Sequence, residues 1–392
     1  MEKIRIGDAC ELLNGFAFKS ENYVKEGIRI IRIANVQKGY IEDNSPAFYP
    51  ADSEGLDKYM LEENDLLMSL TGNVGRVAIL QKDMLPAALN QRVACLRLKT
   101  DRITKGYLFH LLNSDFFEQK CIQSSKGVAQ KNMSTEWLKD FLIPVYSVEK
   151  QQEITTTLDY LRDIIDKRKQ ELNKLDELIK ARFVELFGDP VQNPKEWEVH
   201  LIEDVVSNEK NALKAGPFGS ALKKEYYVES GYKIYGQEQV ISGDHTFGDY
   251  YIDEERYKSL ENCAVKAGDV LISLVGTYGK LLIIPEIFEP GIINPRLMKI
   301  TFDKEKVNPY YFKYFFQSES LKKSLSVNTH GGTMDILNLG IVRKIAMPLP
   351  PMKLQNEFVA FAEQVDKSKV AVHKSLDETQ RLFDSLMQEY FG

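Results

Sequence analysis

The sequence has no excess of basic residues: 57 Asp and Glu residues outnumber 51 Lys and Arg residues, which gives a formal net charge of −6. This balance excludes a protein that coats polyanions through its own net charge, although small basic clusters are compatible with it. No run of about 18 apolar residues occurs, so the sequence predicts no transmembrane helix. It begins without the basic, apolar and small-residue regions of a signal peptide, which favours a cytoplasmic protein.

Cysteine is scarce, and the common motifs of catalysis are missing. The four cysteines form neither a CxxC pair nor a zinc-binding spacing, which predicts reduced, buried side chains. The sequence lacks a Walker A motif, a GxGxxG turn after a strand, an HExxH motif and the Asn/Asp-Pro-Pro-aromatic tetrapeptide with which amino-methyltransferases hold their target base. We therefore predict no catalytic residue, no metal site and no cofactor bound by this chain.

The sequence does contain a long internal repeat. The segment NDLLMSLTGNVGRV, which begins at Asn64, is similar to GDVLISLVGTYGKL, which begins at Gly268. The segments ELFG, ending at Gly188, and EYFG, ending at Gly392, are separated by the same offset of 204 residues. A repeat of this length indicates the duplication of a whole domain, because solenoid repeats are much shorter.

Each repeat ends in a long predicted helix that no proline interrupts. Apolar residues recur at spacings of three and four, which is typical of a coiled-coil seam. A single stripe of this kind often packs on its own domain, but two stripes at equivalent positions favour packing against each other in antiparallel directions. The seam positions are Ile154, Leu158, Leu161, Ile165, Leu172, Leu175, Ile179 and Leu186, followed in the second repeat by Phe358, Val365, Val372, Leu376, Phe383, Leu386 and Tyr390.

The globular part of each repeat mixes strand and helix patterns. DLLMSLTG and RVACLRLK are typical of strands, whereas residues 107–122 and 310–325 each predict an amphipathic helix. The predicted fold class is α+β (mixed α/β), with two duplicated globular domains separated by two long antiparallel coiled-coil helices in a pseudo-two-fold arrangement. The predicted segments are a first globular domain at 1–147, a central helix at 148–189, a second globular domain at 190–349 and a C-terminal helix at 350–392.

Several loops carry residues that suit contact with a polyanion or with base edges. The motif Gly-x-x-Gly, at 72–75 and 276–279, follows a strand and precedes a basic residue in both repeats. It is either a tight turn in which glycine supplies a positive φ or a phosphate contact through backbone N–H groups and the cation. An arginine follows an asparagine at equivalent positions and forms either a structural salt bridge or a phosphate contact. The candidate contact residues are Lys19, Ser20, Asn73, Arg76, Arg92, Lys126, Gln130, Lys131, Ser220, Thr277, Tyr278, Lys280, Arg296, His330 and Thr333.

On these motifs, the chain resembles the specificity subunit of Type I restriction–modification systems over essentially its whole length. The resemblance rests on DLLMSLTGNVG and DVLISLVGTYG, on the Pro…Gln-x-Glu pattern at the start of each helix, and on the ELFGDP and EYFG helix ends. One departure is Ser147, because the second copy has Pro351 at that position.

The resemblance implies that each globular part is a target recognition domain for one half of a bipartite double-stranded DNA site. It implies that the helices set the spacing and dock two methyltransferase subunits, which bind S-adenosylmethionine. Endonuclease subunits, which use ATP and Mg, would join this complex, whereas the chain itself would catalyse nothing and would contact no membrane. The alternative is a duplicated coiled-coil protein-binding scaffold without DNA contact, and a self-sufficient enzyme is disfavoured by the missing motifs.

Overall fold

The computed structural model describes residues 2–125, 132–218, 220–274, 280–327 and 337–392. The chain forms two compact units, the first of Met1–Gln170 with Val372–Gly392 and the second of Glu171–Ala371. Each unit therefore contains one globular part together with one portion of each long helix. The four predicted segments keep each long helix whole, whereas the two units divide both helices between them.

The first unit is built on an antiparallel sheet of order β2-β8-β5-β6 and a smaller sheet of order β4-β3-β7, in which β3 and β7 run parallel. A two-stranded ribbon pairs β1 with β9. The strands are β1 (Glu2–Arg5), β2 (Cys10–Asn14), β3 (Ile28–Ile31), β4 (Phe48–Tyr49), β5 (Leu66–Ser69), β6 (Val77–Ile79), β7 (Ala87–Leu89), β8 (Val93–Leu98) and β9 (Leu142–Val145). The helices are α1 (Ile6–Ala9), α2 (Lys105–Leu112), α3 (Asp115–Ser124), α4 (Thr135–Asp140) and the long α5 (Val148–Phe187).

Strand β5 is buried on both faces, which explains why three of its four residues are large and apolar. Leu66 and Met68 face the core that contains α2 and the start of α5. Leu67 points the other way, into the cluster between the two sheets. The strand is thus the central element of the unit, and it carries the turn that follows it into a fixed position.

The prediction of one helix at residues 107–122 is wrong in its extent, because the structure has two helices there. Helix α2 ends at Leu112, and Ser114 caps α3 by accepting a hydrogen bond from the backbone N–H of Phe117 at 3.2 Å. The same break divides residues 310–325, since the hydroxyl of Ser318 accepts from the N–H of Leu321 at 3.4 Å. The apolar periodicity continues across both breaks and therefore conceals them.

The second unit repeats the first. Its sheets have the orders β11-β18-β15-β16 and β12-β14-β13-β17, with β13 parallel to β17, and its ribbon pairs β10 with β19. The strands are β10 (Val199–Leu201), β11 (Leu213–Ala215), β12 (Tyr227–Val228), β13 (Tyr232–Tyr235), β14 (Tyr251–Ile252), β15 (Val270–Ser273), β16 (Leu281–Ile283), β17 (Gly291–Ile293), β18 (Leu297–Ile300) and β19 (Ala346–Pro348). The helices are α6 (Gln237–Ser242), α7 (Glu254–Ser259), α8 (Pro309–Phe316), α9 (Glu319–Val327), α10 (Leu339–Arg343) and the long α11 (Met352–Phe391).

The two long helices pair in antiparallel directions within each unit, as the sequence predicted. In the second unit, the start of α11 lies beside the end of α5, where the rings of Phe183 and Phe358 are 5.4 Å apart. In the first unit, the end of α11 lies beside the start of α5, where the ammonium of Lys150 is 5.8 Å from the ring centre of Tyr390. Each pair also packs on its own globular part, since Ile154 and Phe358 are fully buried in the cores of their units.

Candidate nucleic-acid interface

Three segments of each unit meet at the end of the central strand. In the first unit, the N–H of Leu70 donates to the carbonyl of Arg92 at 2.9 Å, and the carbonyl of Leu70 accepts from the N–H of Met133 at 2.9 Å. The second unit repeats this chain, with the N–H of Leu274 donating to Arg296 at 2.9 Å and the N–H of Leu337 donating to Leu274 at 3.1 Å. In each unit, the residue that follows the central strand is therefore hydrogen-bonded on one side to an arginine and on the other side to the segment that begins after residue 131 or 336.

Arg92 and Arg296 occupy equivalent turns with a fixed backbone and an exposed side chain. The N–H of Arg92 donates to Asn90 Oδ1 at 3.2 Å, and that of Arg296 donates to Asn294 Oδ1 at 2.9 Å. None of the described residues forms a salt bridge with either guanidinium, although Arg296 Nη1 lies 3.4 Å from Gln237 Oε1. The interpretation of these two arginines as structural salt bridges therefore lacks support, because neither guanidinium has a carboxylate partner among the described residues.

The loops that begin at Gly15 and Gly216 lie against these arginine turns. A Cβ atom on Gly15 would meet the carbonyl of Asn90 at 2.2 Å, and one on Gly216 would meet that of Asn294 at 1.9 Å, so only glycine fits at either position. The N–H of Phe16 also donates to the carbonyl of Leu89 at 2.8 Å. The structure therefore brings each loop next to the arginine of its own unit.

The turn at 72–75 adopts the tight conformation that the glycines predicted. Gly72 and Gly75 have φ values of +68° and +81°, and a Cβ on Gly75 would lie 2.8 Å from Cys121 Sγ. When the Asn73 amide is oriented with its oxygen towards Arg76, this oxygen accepts hydrogen bonds from Nη1 and Nη2 of Arg76, both at 3.2 Å. The guanidinium of Arg76 also donates to Gln37 Oε1. This arginine therefore stabilises the turn, whereas the side chain of its counterpart Lys280 is exposed and has no polar partner among the described residues.

The remaining predicted contact residues divide into exposed ones and ones outside the described part of the chain. Lys19 is exposed and forms a long ion pair with Glu21 at 3.9 Å, and Ser20 and Ser220 are exposed in their loops. Outside the described residues lie Lys126, Gln130, Lys131, Thr277, Tyr278, His330 and Thr333, together with the Gly-x-x-Gly motif of the second repeat.

Sequence reasoning missed Phe218, whose side chain is 91% exposed. It lies two residues after Gly216, beside the Arg296 turn. Strand register equates it with Ala17, because Asn14 pairs with Ala94 in the first unit just as Ala215 pairs with Met298 in the second. The first unit instead packs its loop aromatics Phe16 and Phe18, which are half-buried, against a small core cluster, with their rings 5.0 Å apart. A comparison of loop aromatics between the repeats, aligned on the strands, is the signal that would have revealed Phe218.

A buried ion pair supports the start of the central strand in each unit. Asp65 accepts from Arg97 Nε at 2.9 Å and from Nη2 at 2.7 Å, and it also accepts from the backbone N–H of Glu62. In the second unit, Asp269 lies 3.5 Å from Lys299 Nζ. Burial raises the pKa of Asp269, although the nearby Lys299 ammonium opposes this shift. These pairs hold the strand whose far end bears the candidate interface.

The described residues offer no cluster of metal ligands. Their histidine, cysteine, aspartate and glutamate side chains form no group of three or more that could hold a metal ion. No described helix is long and apolar enough to cross a membrane. All four cysteines are free and buried, as predicted. The arrangement can therefore supply cations, hydroxyl groups and one aromatic side chain to a ligand that approaches the sheet edge of each unit.

Comparisons with known proteins find similar sequences along almost the whole chain. The specificity subunit of the Type I restriction enzyme EcoBI from Escherichia coli is 22% identical, covering 99% of this chain and 85% of that protein. The MjaVIII specificity subunit from Methanocaldococcus jannaschii is 21% identical, covering 98% of this chain and 91% of that protein.

Two solved structures share the fold along the full chain. One is the S subunit of a Type I restriction–modification system from M. genitalium, with a TM-score of 0.58, 15% identity, and coverage of 100% of this chain and 96% of that chain. The other comes from work on complex assembly and conformational transition of the type I R-M system, with a TM-score of 0.61, 16% identity, and coverage of 100% and 97%. A family model described as the Type I restriction modification DNA specificity domain matches residues 1–177 and 194–379. Since these matches cover most of the sequence, this chain belongs to the family of Type I restriction–modification DNA specificity proteins and carries the family domain twice.

Proposed function

We propose that this chain is the DNA sequence-specificity subunit of a Type I restriction–modification complex, in which each unit reads one half of a bipartite duplex site. The observation that carries the proposal is the repeated turn at Arg92 and Arg296. In both units the backbone of this arginine is fixed by hydrogen bonds, while its guanidinium is exposed and has no carboxylate partner among the described residues. Such a group is suited to bind a phosphate and to set the register in which neighbouring loops meet base edges.

The two units have diverged at this edge, which favours two different half-sites. Phe218 replaces Ala17, and the loop positions 128–131 differ in residue type from 332–335. A single chain with two unlike readers does not require a palindromic site, in contrast to a homodimer. We infer that base specificity comes mainly from these loops, with the arginines contacting phosphate.

The partners follow from the same proposal. The paired helices dock two methyltransferase subunits that carry S-adenosylmethionine, and endonuclease subunits that use ATP and Mg join them in the cytoplasm. This chain binds no cofactor and contributes recognition only. Because its net charge is −6, most of the electrostatic attraction to DNA comes from the partners, so the isolated chain binds duplex weakly and in a strongly salt-dependent manner.

A domain exchange tests the proposal. Methylated adenines are mapped by single-molecule sequencing in cells that carry the whole system, first with this chain and then with residues 1–147 replaced by the matching part of a relative. We expect one half of the methylated sequence to change while the other half and the spacing remain. A change in both halves would contradict independent readers. Failure of the purified methyltransferase complex to retard the mapped duplex would instead support the scaffold without DNA contact.

A further inference from the structure

A cavity of about 590 Å³ lies within the first unit, between its globular part and the paired helices. Its walls come from the loop at Lys38–Tyr40, the turn between α2 and α3, and the facing sides of α5 and α11. This volume is in the range of about 300–1,000 Å³ that is usual for ligand sites. None of the predicted DNA-contact residues lines it, so it is separate from the candidate interface.

Arg162 lines this cavity without an ion-pair partner among the described residues. Its guanidinium stacks on the ring of Phe109 at 5.1 Å and lies against Gly39, where a side chain would collide with it. It forms no hydrogen bond or salt bridge with any described residue. Burial lowers the pKa of Arg162, although the Asp166 and Asp159 carboxylates lie near enough to oppose the shift. A guanidinium held in place without a carboxylate is prepared to bind one.

Asn113 supplies an unpaired acceptor in the same cavity. Its side chain is only 7% exposed, and its Nδ2 donates to the carbonyl of Phe109 at 2.9 Å. Its Oδ1 is buried and has no hydrogen-bond partner among the described residues. A buried acceptor without a partner destabilises the folded chain, so a ligand that brings an N–H or O–H donor would relieve this cost.

Several neighbouring charged groups are already paired. Lys38 forms ion pairs with Asp115 at 2.6 Å and with Glu118 at 2.8 Å, and the buried His110 contacts Asp159 at 2.7 Å. Asp166 and Lys169, also in the lining, are exposed and carry opposite charges, and Asp384 accepts from Gln380 at 2.9 Å. Among the described lining residues, the groups that are held in place by packing and still lack a polar partner are therefore the Arg162 guanidinium and Asn113 Oδ1.

Large apolar side chains at the cavity indicate a protein segment as its occupant. Tyr40 is 58% exposed and Phe116 is 41% exposed, and both line the cavity. Exposed aromatic side chains beside an unpaired arginine are typical of the centre of a protein interface. The opposite wall is the helix pair, which the proposed function already assigns to partner docking.

The second unit does not repeat the cavity chemistry. At the repeat offset of 204 residues, Asp366 replaces Arg162, and it forms an ion pair with Lys369 at 3.2 Å. Tyr314 replaces His110 at the same offset. A carboxylate that is attracted to Arg162 is therefore repelled by the corresponding position of the second unit.

We propose that this cavity binds an acidic segment of one methyltransferase subunit, with a carboxylate on Arg162 and an N–H or O–H donor on Asn113 Oδ1. Only the first unit accepts this segment, so the two methyltransferase subunits are held with different strengths. This inference rests on the proposed function, because it requires that the helices bind those subunits.

The test compares Arg162→Met with Asp366→Asn as a matched control. Methionine retains the apolar stem on Phe109, and the control leaves Lys369 its second partner Asp176 at 2.6 Å. Each chain is mixed with the methyltransferase subunit of the same system, and bound copies are counted by native mass spectrometry across a titration. We expect Arg162→Met to weaken binding of one copy at least tenfold, so that complexes with a single methyltransferase accumulate, while Asp366→Asn retains two copies.

A photo-crosslinking residue at position 40 identifies the segment. We expect it to capture a methyltransferase peptide with an acidic residue, and changing that residue to arginine should restore binding to Arg162→Glu. Unchanged two-copy assembly by Arg162→Met, or crosslinks confined to this chain, would overturn the docking proposal while duplex binding by the complex remained intact. If the unaltered chain bound no methyltransferase, the proposed function itself would fail.

Discussion

The side-chain oxygen of Gln151 accepts a hydrogen bond from the backbone N–H of Thr104 at 2.8 Å, which joins the start of α5 to the globular part of the first unit. Its Nε2 group donates to the carbonyls of Arg102 at 2.8 Å and Tyr146 at 2.9 Å. Gln355 is likewise fully buried and bonded to Asn308, Lys306 and Pro350 in the second unit. The glutamine in the Pro…Gln-x-Glu pattern therefore connects the globular part to the long helix through three hydrogen bonds of its side chain to backbone groups.

Replacing this glutamine with leucine should destabilise the unit that contains it. Gln151→Leu leaves one buried N–H and two carbonyls without their partner, so we expect a loss of about 3 kcal/mol in the free energy of unfolding. Urea unfolding followed by circular dichroism measures it, with the exposed neighbour as control in Gln152→Leu. Equal stability of the two variants would show that the link contributes nothing.

The buried aspartates of the two repeats have different cations as partners, and moving the cation of the first repeat into the second tests this pairing. The cation beside Asp65 is Arg97, whereas the cation beside Asp269 is Lys299, two residues earlier in the equivalent strand. Lys299→Cys, which copies the residue of the first repeat, should cost about 3 kcal/mol because it leaves a buried carboxylate without its cation. Adding Thr301→Arg, which copies Arg97, should recover more than half of that loss in urea unfolding.

The pH dependence of Lys299→Cys follows from the sign of the pKa shift. Burial raises the pKa of Asp269 above its unfolded value even with Lys299 present, and removal of the ammonium raises it further. The folded state then binds the proton more tightly than the unfolded state, so stability is present below about pH 4 and is lost as the pH rises towards neutrality. The double variant should show a smaller loss over this range, and no difference between the two would contradict the pairing.

Local patterns in the sequence predict the elements of the fold, but not the contacts between residues that lie far apart in the chain. The repeat, the central strands and the antiparallel helix seam were predictable, because apolar spacing and the fixed offset reflect local geometry and duplication. The link made by Gln151 was visible as a motif, but its role was not, since its partners lie 47 and 49 residues away in the sequence. The equivalent roles of Arg97 and Lys299 were not visible in the sequence, because the two cations do not align at the repeat offset of 204 residues.

The candidate site was predicted less completely for a related reason. Arg76 and Lys280 look equivalent in the sequence, yet Arg76 is tied to Asn73 and Gln37 by contacts that only the folded turn creates. Phe218 was missed because an ungapped offset of 204 residues does not align it with Ala17. The strand register at the start of each globular part corresponds to an offset of 201 residues, as Asn14 and Ala215 show.

The thiol groups should be unreactive in the folded chain. Burial raises the pKa of Cys10 and of Cys121 to about 12, so about one molecule in 10,000 carries either thiolate at pH 8. We expect a thiol-specific chromogenic reagent to label none of the four cysteines within minutes in buffer and all four in urea. Rapid labelling of one thiol in buffer would show that its surroundings open readily.

Stability at high pH follows from the same shifts. Because the folded thiols bind their protons more tightly than the unfolded ones, their contribution to stability is present below about pH 8.5 and is lost as the pH rises towards 12. Burial also raises the pKa of Tyr107 and Tyr311, whose hydroxyls donate to the carbonyls of Pro144 and Pro348. Urea midpoints should therefore fall steadily above pH 9, and a constant midpoint up to pH 11 would contradict these shifts.

The arginine turns predict separable effects on DNA binding by the methyltransferase complex. Arg92→Ala and Arg296→Ala each remove one phosphate contact, so each should weaken binding several-fold for all sequences and lower the slope of log affinity against log salt by about 1. Fluorescence anisotropy over a salt series measures both quantities. Arg5→Ala, which removes an exposed arginine from the β1 ribbon, should leave the slope unchanged.

Phe218 predicts an effect on only one half of the DNA site. A side chain that is 91% exposed beside the Arg296 turn is placed to pack on a base or a thymine methyl group, and it has no aromatic counterpart at Ala17. Phe218→Ala should weaken binding about tenfold through the half-site that the second unit reads, and mutations within that half-site should then matter less. Binding measurements with duplexes altered in each half separate the two contributions.

The control for Phe218 is another exposed apolar residue of the same unit. Ile287 is 88% exposed, but it follows β16, at the opposite end of the paired strands β15 and β16 from Lys280. Ile287→Ala should therefore leave both half-sites unaffected, because loss of exposed apolar area alone does not change DNA recognition. If both variants weakened binding equally, or if Phe218→Ala acted on both half-sites, the aromatic side chain would not be a reader of one half.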